Sequence, residues 1–340
     1  MKKKTAYYLV FCLISMLFAG CSDGGKVSES GTPTPAAATN TPTATAAVTP
    51  ISTEPSSPKP SPTPEVIPEP VLVKTEYHTD YTVVADINVT NEPYNADNTG
   101  QTDVTDVLIK AINDCSKRGG GTVYLPKGQY KITKPVTVHP FVTVIGDWQD
   151  PEEGTDYGTV IIADIEPSDK ELPALFTIGG SAGVSGLTIY YPNQSIDDVK
   201  PYPYTFYIPG SEKNGYYMLQ TISNCTVING YRGIATSREN PHELMTVRNV
   251  RGTFLSVGAN VHNSADVDTW DSVIFDNKYW AEAGGGFTRA DKAKLDAYIR
   301  ENGTGMIISD LEWAQFSDIS VSGYNTGIHI IKGTRISFTG

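Results

Sequence analysis

Cysteine is scarce. The 340 residues contain four, of which Cys12 and Cys21 fall near the start, leaving Cys115 and Cys225 far apart with no CxxC or histidine spacing around them. A disulfide framework and a thiolate metal site are thereby excluded, and two buried thiols are expected. Histidine is nearly as rare, with five residues. His242 and His262 lack ligand spacing and read as solvated loop residues, so neither a metal nor a cofactor is expected. Positive charge is in deficit: 26 Lys and Arg against 38 Asp and Glu give a net charge of -12, which becomes -15 if Lys2, Lys3 and Lys4 are removed with residues 1–20. Such a surface lacks the cationic footprint that phosphate binding requires, which excludes nucleic acid as a partner. The apolar stretch at residues 6–18 is too short to remain in a bilayer as a spanning helix.

What the first residues do provide is a basic start, an apolar stretch and a small-residue site before Cys21, the three parts of a secretory signal over residues 1–20. Ala19-Gly20-Cys21 resembles a bacterial lipobox, with Phe18 where that motif prefers leucine. The resemblance implies export, acylation of Cys21 and anchorage of the mature chain to the cell membrane as a lipoprotein with its domain facing outward; two acyl chains suffice where one is marginal. Residues 21–70 are rich in Pro, Thr and Ser and poor in large apolar side chains. They cannot bury enough surface to offset their ordering entropy and read as a disordered, extended stalk. At about 3.1 Å per residue it would reach on the order of 100 Å or more.

A single folded domain is expected over residues 71–340. It opens with an amphipathic helix over residues 102–112, with Asp103 and Asp106 in its first turn, Leu108, Ile109 and Ile112 on one stripe, and Gly119 to Gly121 as the stop. Short β-branched runs follow, among them residues 122–125, 136–138, 142–145, 160–162 and 187–190, each closed by Gly, Asp, Asn or Pro. Residues 222–234 recur in pattern at 316–328, with related runs at 247–250 and 271–275 between them. The inward positions Cys225, Val250, Val273 and Ile319 are 25, 23 and 46 residues apart, the last step being two turns or one turn with an insertion. A period in the low twenties built from short strands is a β solenoid, an all-β fold. Its turn residues Asn224, Asn249 and Asp318 are expected to stack, each satisfying its neighbour's backbone. Residues 288–291 read as a capping box, Leu295, Tyr298 and Ile299 as a helical stripe, and Asn302-Gly303 as its stop, so one inserted helix is expected there. The Tyr-rich excursion from Tyr191 to Tyr217 is either a carbohydrate platform or a lid.

Residues 94–130, running from Tyr94-Asn95-Ala96-Asp97 through the helix to Gly119-Gly120-Gly121-Thr122-Val123-Tyr124-Leu125-Pro126-Lys127-Gly128-Gln129-Tyr130, resemble the N-terminal signature of the pectate-lyase-superfamily domain of β-helical glycoside hydrolases. That group includes exo-β-1,3-glucanase-like and polygalacturonase-related proteins. The resemblance extends over most of residues 80–340. It implies a right-handed parallel β-helix with an N-terminal capping helix, and an extracellular polysaccharide as partner. Asn98 and Thr99 stand where the family writes a compact Gly-Asp-Gly, and the polygalacturonase Asn-Thr-Asp, Asp-Asp and Gly-His-Gly motifs are not visible. The chain stops at Gly340 inside a coil with no capping segment, which reads as a truncated member lacking downstream coils.

Glycoside hydrolysis needs one carboxyl to protonate the leaving oxygen and a second as nucleophile or base, about 5–9.5 Å away. Acids and indoles concentrate between residues 266 and 313. Asp310 and Glu312 are the first candidates for catalysis, with Asp268 and Asp271 as partners one or two coils away; Trp270, Trp280, Trp313 and Tyr204 are candidates for stacking on sugar rings. Each acid also has a plainer reading as a solenoid turn residue, and each Trp as a core residue. A glycoside hydrolase acting on a glucan or pectin-like polymer is the expectation. A lyase, a noncatalytic carbohydrate-binding or envelope module, and an inactive fragment are the alternatives.

Overall fold

A computed structural model describes residues 69–79, 81–210 and 217–340. The chain divides into two units, 1–63 and 64–340, of which only the second contains described residues. The expected signal peptide, the anchor Cys21, most of the stalk, and Tyr216 lie outside them.

The second unit is a parallel β-helix. The chain climbs through three sheets, and the side chains of successive coils stack in register. In the first sheet an interior column runs Ile87, Val123, Val144, Val184, Ile222, Val247, Trp270, Phe316 and Phe338, each paired with the next. In the third, Val136, Phe176, Phe206, Ile234, Ala259, Met306 and Ile328 do the same. All strands of this sheet system are parallel because each coil returns to the same face before the next begins. The long strands Thr221–Thr236 and Thr246–Ser264 turn corners between sheets without leaving the ladder. The column Cys225, Val250, Val273 and Ile319 is paired as the repeat predicts, and Val273 pairs directly with Ile319. The 46-residue step is therefore one turn with an insertion.

The corners are built from left-handed backbone. Asn224, Asn249, Ser272 and Asp318, one per coil, have φ of 52°, 51°, 54° and 54°. An L-residue there costs roughly 1–2 kcal/mol, which Asn and Asp tolerate best because their short polar side chains bond locally. One rung below, Gly186 (φ 71°) has no alternative, since a Cβ would lie 2.1 Å from the Gly146 carbonyl oxygen. Of the expected stack, Asn224 and Asn249 bond, and they do so side chain to side chain: Asn249 Nδ2 donates to Asn224 Oδ1 at 2.8 Å. Ser272 is the weak rung. Ser272→Asn is expected to raise stability by about 1 kcal/mol, read as a higher urea midpoint with unchanged slope.

Helix α1 (Thr105–Lys117) buries Leu108, Ala111, Ile112 and Cys115 against the strands Gly121–Leu125, Val136–Val138 and Val142–Gly146. Asp103 accepts from the Thr105 amide at 2.9 Å rather than lying within the helix. The insertion holds two helices, α2 (Lys278–Ala281) and α3 (Lys292–Asn302). The cap of α3 is Asp291, whose side chain accepts from the Lys294 amide at 3.0 Å, instead of the Thr288 expected from the capping-box pattern. Leu295 and Ile299 pack with Trp280, Tyr157, Tyr190, Ile228 and Leu255 outside the second sheet. Cys115 and Cys225 are buried free thiols, and burial pushes them up to about 11 and about 12.

Candidate active-site groove on the third sheet

The outer face of the third sheet carries two adjoining cavities that share Glu239. One, of 260 Å3, is lined by Glu171, Tyr204, Tyr207, Arg238 and Asn260 among others. The next, of 410 Å3, is lined by Asn263, Ser264, Asp310, Glu312 and Lys332. The strand Thr246–Ser264 supplies residues to both, and half-buried His262 lies on it between Asn260 and Asn263.

A hydrogen-bonded chain fixes this histidine. Asn260 Nδ2 donates to the Tyr204 hydroxyl at 2.9 Å, and Asn260 Oδ1 lies 2.7 Å from His262 Nε2. With the amide nitrogen committed to Tyr204, its oxygen must accept, so Nε2 carries the proton and the neutral ring keeps its lone pair on Nδ1. The backbone is held as well: His262 N donates to Thr236 Oγ1 at 2.7 Å, and that hydroxyl donates to the His262 carbonyl at 2.7 Å. Burial lowers the His262 pKa from its ordinary value, and the Arg238 guanidinium lowers it further against the opposing pull of Asp310 and Glu171. Burial and the Arg238 charge both favour the neutral ring. Arg238 is paired with Glu171 at 3.4 Å and Lys332 with Asp310. The ammonium of Lys332 holds the Asp310 carboxyl below its usual range.

These opposed influences give a direct check. The His262 pKa, followed by NMR, is expected to rise in Arg238→Ala and to fall further in Asp310→Asn; shifts in the same direction would refute the arrangement.

The structure brings Asp310 and Glu312 to one cavity, two residues apart on the strand Thr304–Glu312. Other candidates go elsewhere. Asp268 is fully buried, accepting from the Met245 amide at 3.0 Å with its other oxygen 2.9 Å from His242 Nε2. No substrate reaches it, and its role is to hold a corner of the coil. Asp271 is on the first sheet, where it accepts from Ser317 Oγ at 2.7 Å and lies 3.5 Å from Arg248. It belongs to a different face from Asp310. Trp270 is fully buried, stacked on Phe316 with centroids 5.9 Å apart, and Trp280 is 2% exposed with its indole N–H on the Thr288 carbonyl. Neither offers a face to a sugar. Tyr204 is 3% exposed and serves the groove through Asn260. Trp313, next to Glu312, is 46% exposed, with the Arg335 guanidinium 4.3 Å from its ring centroid. The Tyr-rich excursion is neither simple platform nor lid: Tyr191, Tyr202 and Phe206 are core residues, and Tyr204–Ile208 is a coil strand.

His242 and His262 are not solvated loop residues. Both lie on strands, the first fully buried and the second half-buried between the groove residues Asn260 and Asn263. His262, Arg238, Glu171, Asn260 and Lys332 were absent from the sequence-derived candidates. The available signal was the alternation of Ala259-Asn260-Val261-His262, apolar inward and polar outward.

Residues 87–163 match a family model described as rhamnogalacturonase A/epimerase, pectate lyase-like. A curated relative, alginate lyase 7 of Azotobacter vinelandii, is 28% identical over 162 residues, which cover 44% of this chain and 17% of that protein. Among solved structures, the mannuronan C-5 epimerase AlgE4 A-module of Azotobacter vinelandii is similar over 74% of this chain and 76% of that one, at 18% identity and a TM-score of 0.42. An exopolygalacturonase from Thermotoga maritima covers 79% of this chain and 83% of its own, at 11% identity and a TM-score of 0.31. The matched segment and the three-sheet coil fit a pectin-lyase-like β-helix domain.

Proposed function

We propose that the third-sheet groove processes an acidic polysaccharide by β-elimination, with His262 as the base. The observation that carries this reading is the His262 imidazole, fixed by Asn260 through Nε2 so that its lone pair stands on Nδ1, with the Arg238 guanidinium acting on it. A uronate ring needs its carboxylate neutralised before the proton on the adjacent carbon becomes acidic enough to remove, and Arg238 is placed to exchange Glu171 for that carboxylate. Nδ1 takes the proton from C5, the released electron pair forms the C4–C5 double bond, and the C4–O bond breaks. The departing oxygen takes a proton from a groove hydroxyl such as Tyr207 or from water. The family description and the relative named as an alginate lyase support a polysaccharide substrate.

A second reading, hydrolysis, is favoured by the shared placement of Asp310 and Glu312 in one cavity. Because Lys332 keeps Asp310 ionised, Glu312 would be the acid and Asp310 the base. Incubation with a panel of polyuronates and neutral glycans separates the two. Unsaturated ends from a polyuronate support elimination, new reducing ends without unsaturation mean hydrolysis, and binding without product means a noncatalytic module.

A further inference from the structure

We propose that the corner between the first and second sheets is a second saccharide site, separate from the groove and selective for neutral glycans. Its cavity of 360 Å3 is lined by Tyr77, Tyr81, Trp148, Glu153, Asn224 and Asn249, among others. That volume falls within the roughly 300–1,000 Å3 typical of small-molecule sites.

Three aromatic rings meet there, and each is tied down through its polar end. Trp148 Nε1 donates to Thr226 Oγ1 at 2.9 Å. The Tyr81 hydroxyl accepts from Asn224 Nδ2 at 3.2 Å, and the Tyr77 hydroxyl donates to Asp156 at 2.5 Å. Lys127 also bonds Asp156 at 2.5 Å and lies 5.3 Å from the Tyr77 ring centroid, which fixes that ring a second time. Rings whose polar ends are already committed present their faces without further loss of side-chain freedom, the condition under which a flat apolar sugar face stacks with little entropic cost. The paired amides of Asn224 and Asn249 and the exposed carboxylate of Glu153 supply partners for hydroxyl groups.

Charge sets the selectivity. The cavity wall includes the carboxylates of Asp150 and Glu153 and neither lysine nor arginine. The nearby Arg251 is spent: its guanidinium is 7% exposed, bonded to Asp150 at 3.1 Å and to the Ser272 carbonyl. The corner therefore offers a polyuronate no free cation, whereas the groove offers Arg238 and Lys332 as exchangeable partners among its carboxylates Glu171, Glu239, Asp310 and Glu312. A neutral glycan needs no such cation, so one protein would hold a composite polysaccharide material at this corner while working on its acidic component at the third sheet.

The test is a titration of the full chain with cellohexaose, laminarihexaose and mannohexaose, and with hexagalacturonate as the acidic control, followed by tryptophan fluorescence and calorimetry. At least one neutral hexaose is expected to bind saturably, and hexagalacturonate is not expected to compete. Trp148→Ala and, as a variant that leaves the indole anchor intact, Asn249→Ala are each expected to weaken that binding about tenfold, roughly 1.4 kcal/mol. His262→Ala is expected to leave it unchanged. The proposal is overturned if no neutral hexaose binds, if both corner variants bind as tightly as the parent, or if the site is lost with His262. Turnover on polyuronates is scored separately, so failure at this corner leaves the groove reading standing and the reverse also holds.

Discussion

Replacing His262 by alanine is expected to lower turnover of a polyuronate about 10²–10⁴-fold, the usual contribution of a positioned general base. The substitution removes the only part of the ring that the proposed chemistry uses, while the strand keeps its Thr236 contacts, which involve His262 main-chain atoms. The neighbouring variants separate roles. Asn260→Ala leaves the imidazole in place but unties Nε2, so the effect should be smaller and accompanied by a changed pH profile as the tautomers redistribute. The acid limb of the parent profile should follow protonation of an imidazole whose pKa is below its ordinary value, with activity gained as pH rises through it. Arg238→Ala should move that limb upward and weaken binding of the acidic chain together. If His262→Ala turns over at the parental rate while Asp310→Asn does not, elimination is wrong and the carboxylate reading replaces it.

Trp270→Ala is expected to cost about 3–5 kcal/mol of stability, the range for truncating a large buried aromatic. Its ring occupies one full rung of the first-sheet column, stacked on Phe316, which in turn stacks on Phe338 with centroids 4.8 Å apart. The informative companion is Trp270→Phe. Among the described residues the buried indole N–H of Trp270 has no hydrogen-bond partner, and leaving such a donor unsatisfied costs about 1–3 kcal/mol. Phenylalanine removes that donor and keeps the stack, so its penalty should fall well below that of alanine. Urea titrations of the three proteins decide the matter: equal midpoints for Trp270→Ala and the parent would mean that the column does not carry the load argued here.

The coil was legible because each inward residue follows a polar, left-handed corner, and Cys225, Val250, Val273 and Ile319 keep that spacing in the sequence. The same phase, read further, contained the correction to the site. Trp270 stands three residues before Val273, as Ile222, Val247 and Phe316 stand before their own column members, so it had to face inward. Asp268 is in phase with Gln220, Met245 and Ala314, all buried. Acid and indole density pointed to them because composition does not distinguish a wet face from a packed one. The groove itself was harder to see. Glu171, Arg238, His262, Asp310 and Lys332 come from different coils, and nothing local to any of them marks the others as neighbours. Asp310 and Glu312 were picked out by that same density, and they share a cavity although the left-handed φ of 55° at Asp310 interrupts simple alternation.

The insertion between Val273 and Ile319 also bears on how the solenoid assembles. Every other rung in that stretch of the column closes over 23 or 25 residues, whereas this one closes over 46. Each doubling of a flexible loop adds about 0.6 kcal/mol of closure entropy. A growing stack would therefore meet its steepest step at this junction unless α3 condenses first, shortening the span before the strands Thr269–Phe275 and Gln315–Val321 meet. The coils on either side would then form two nuclei joined late, and amide exchange would be fastest at the seam between them.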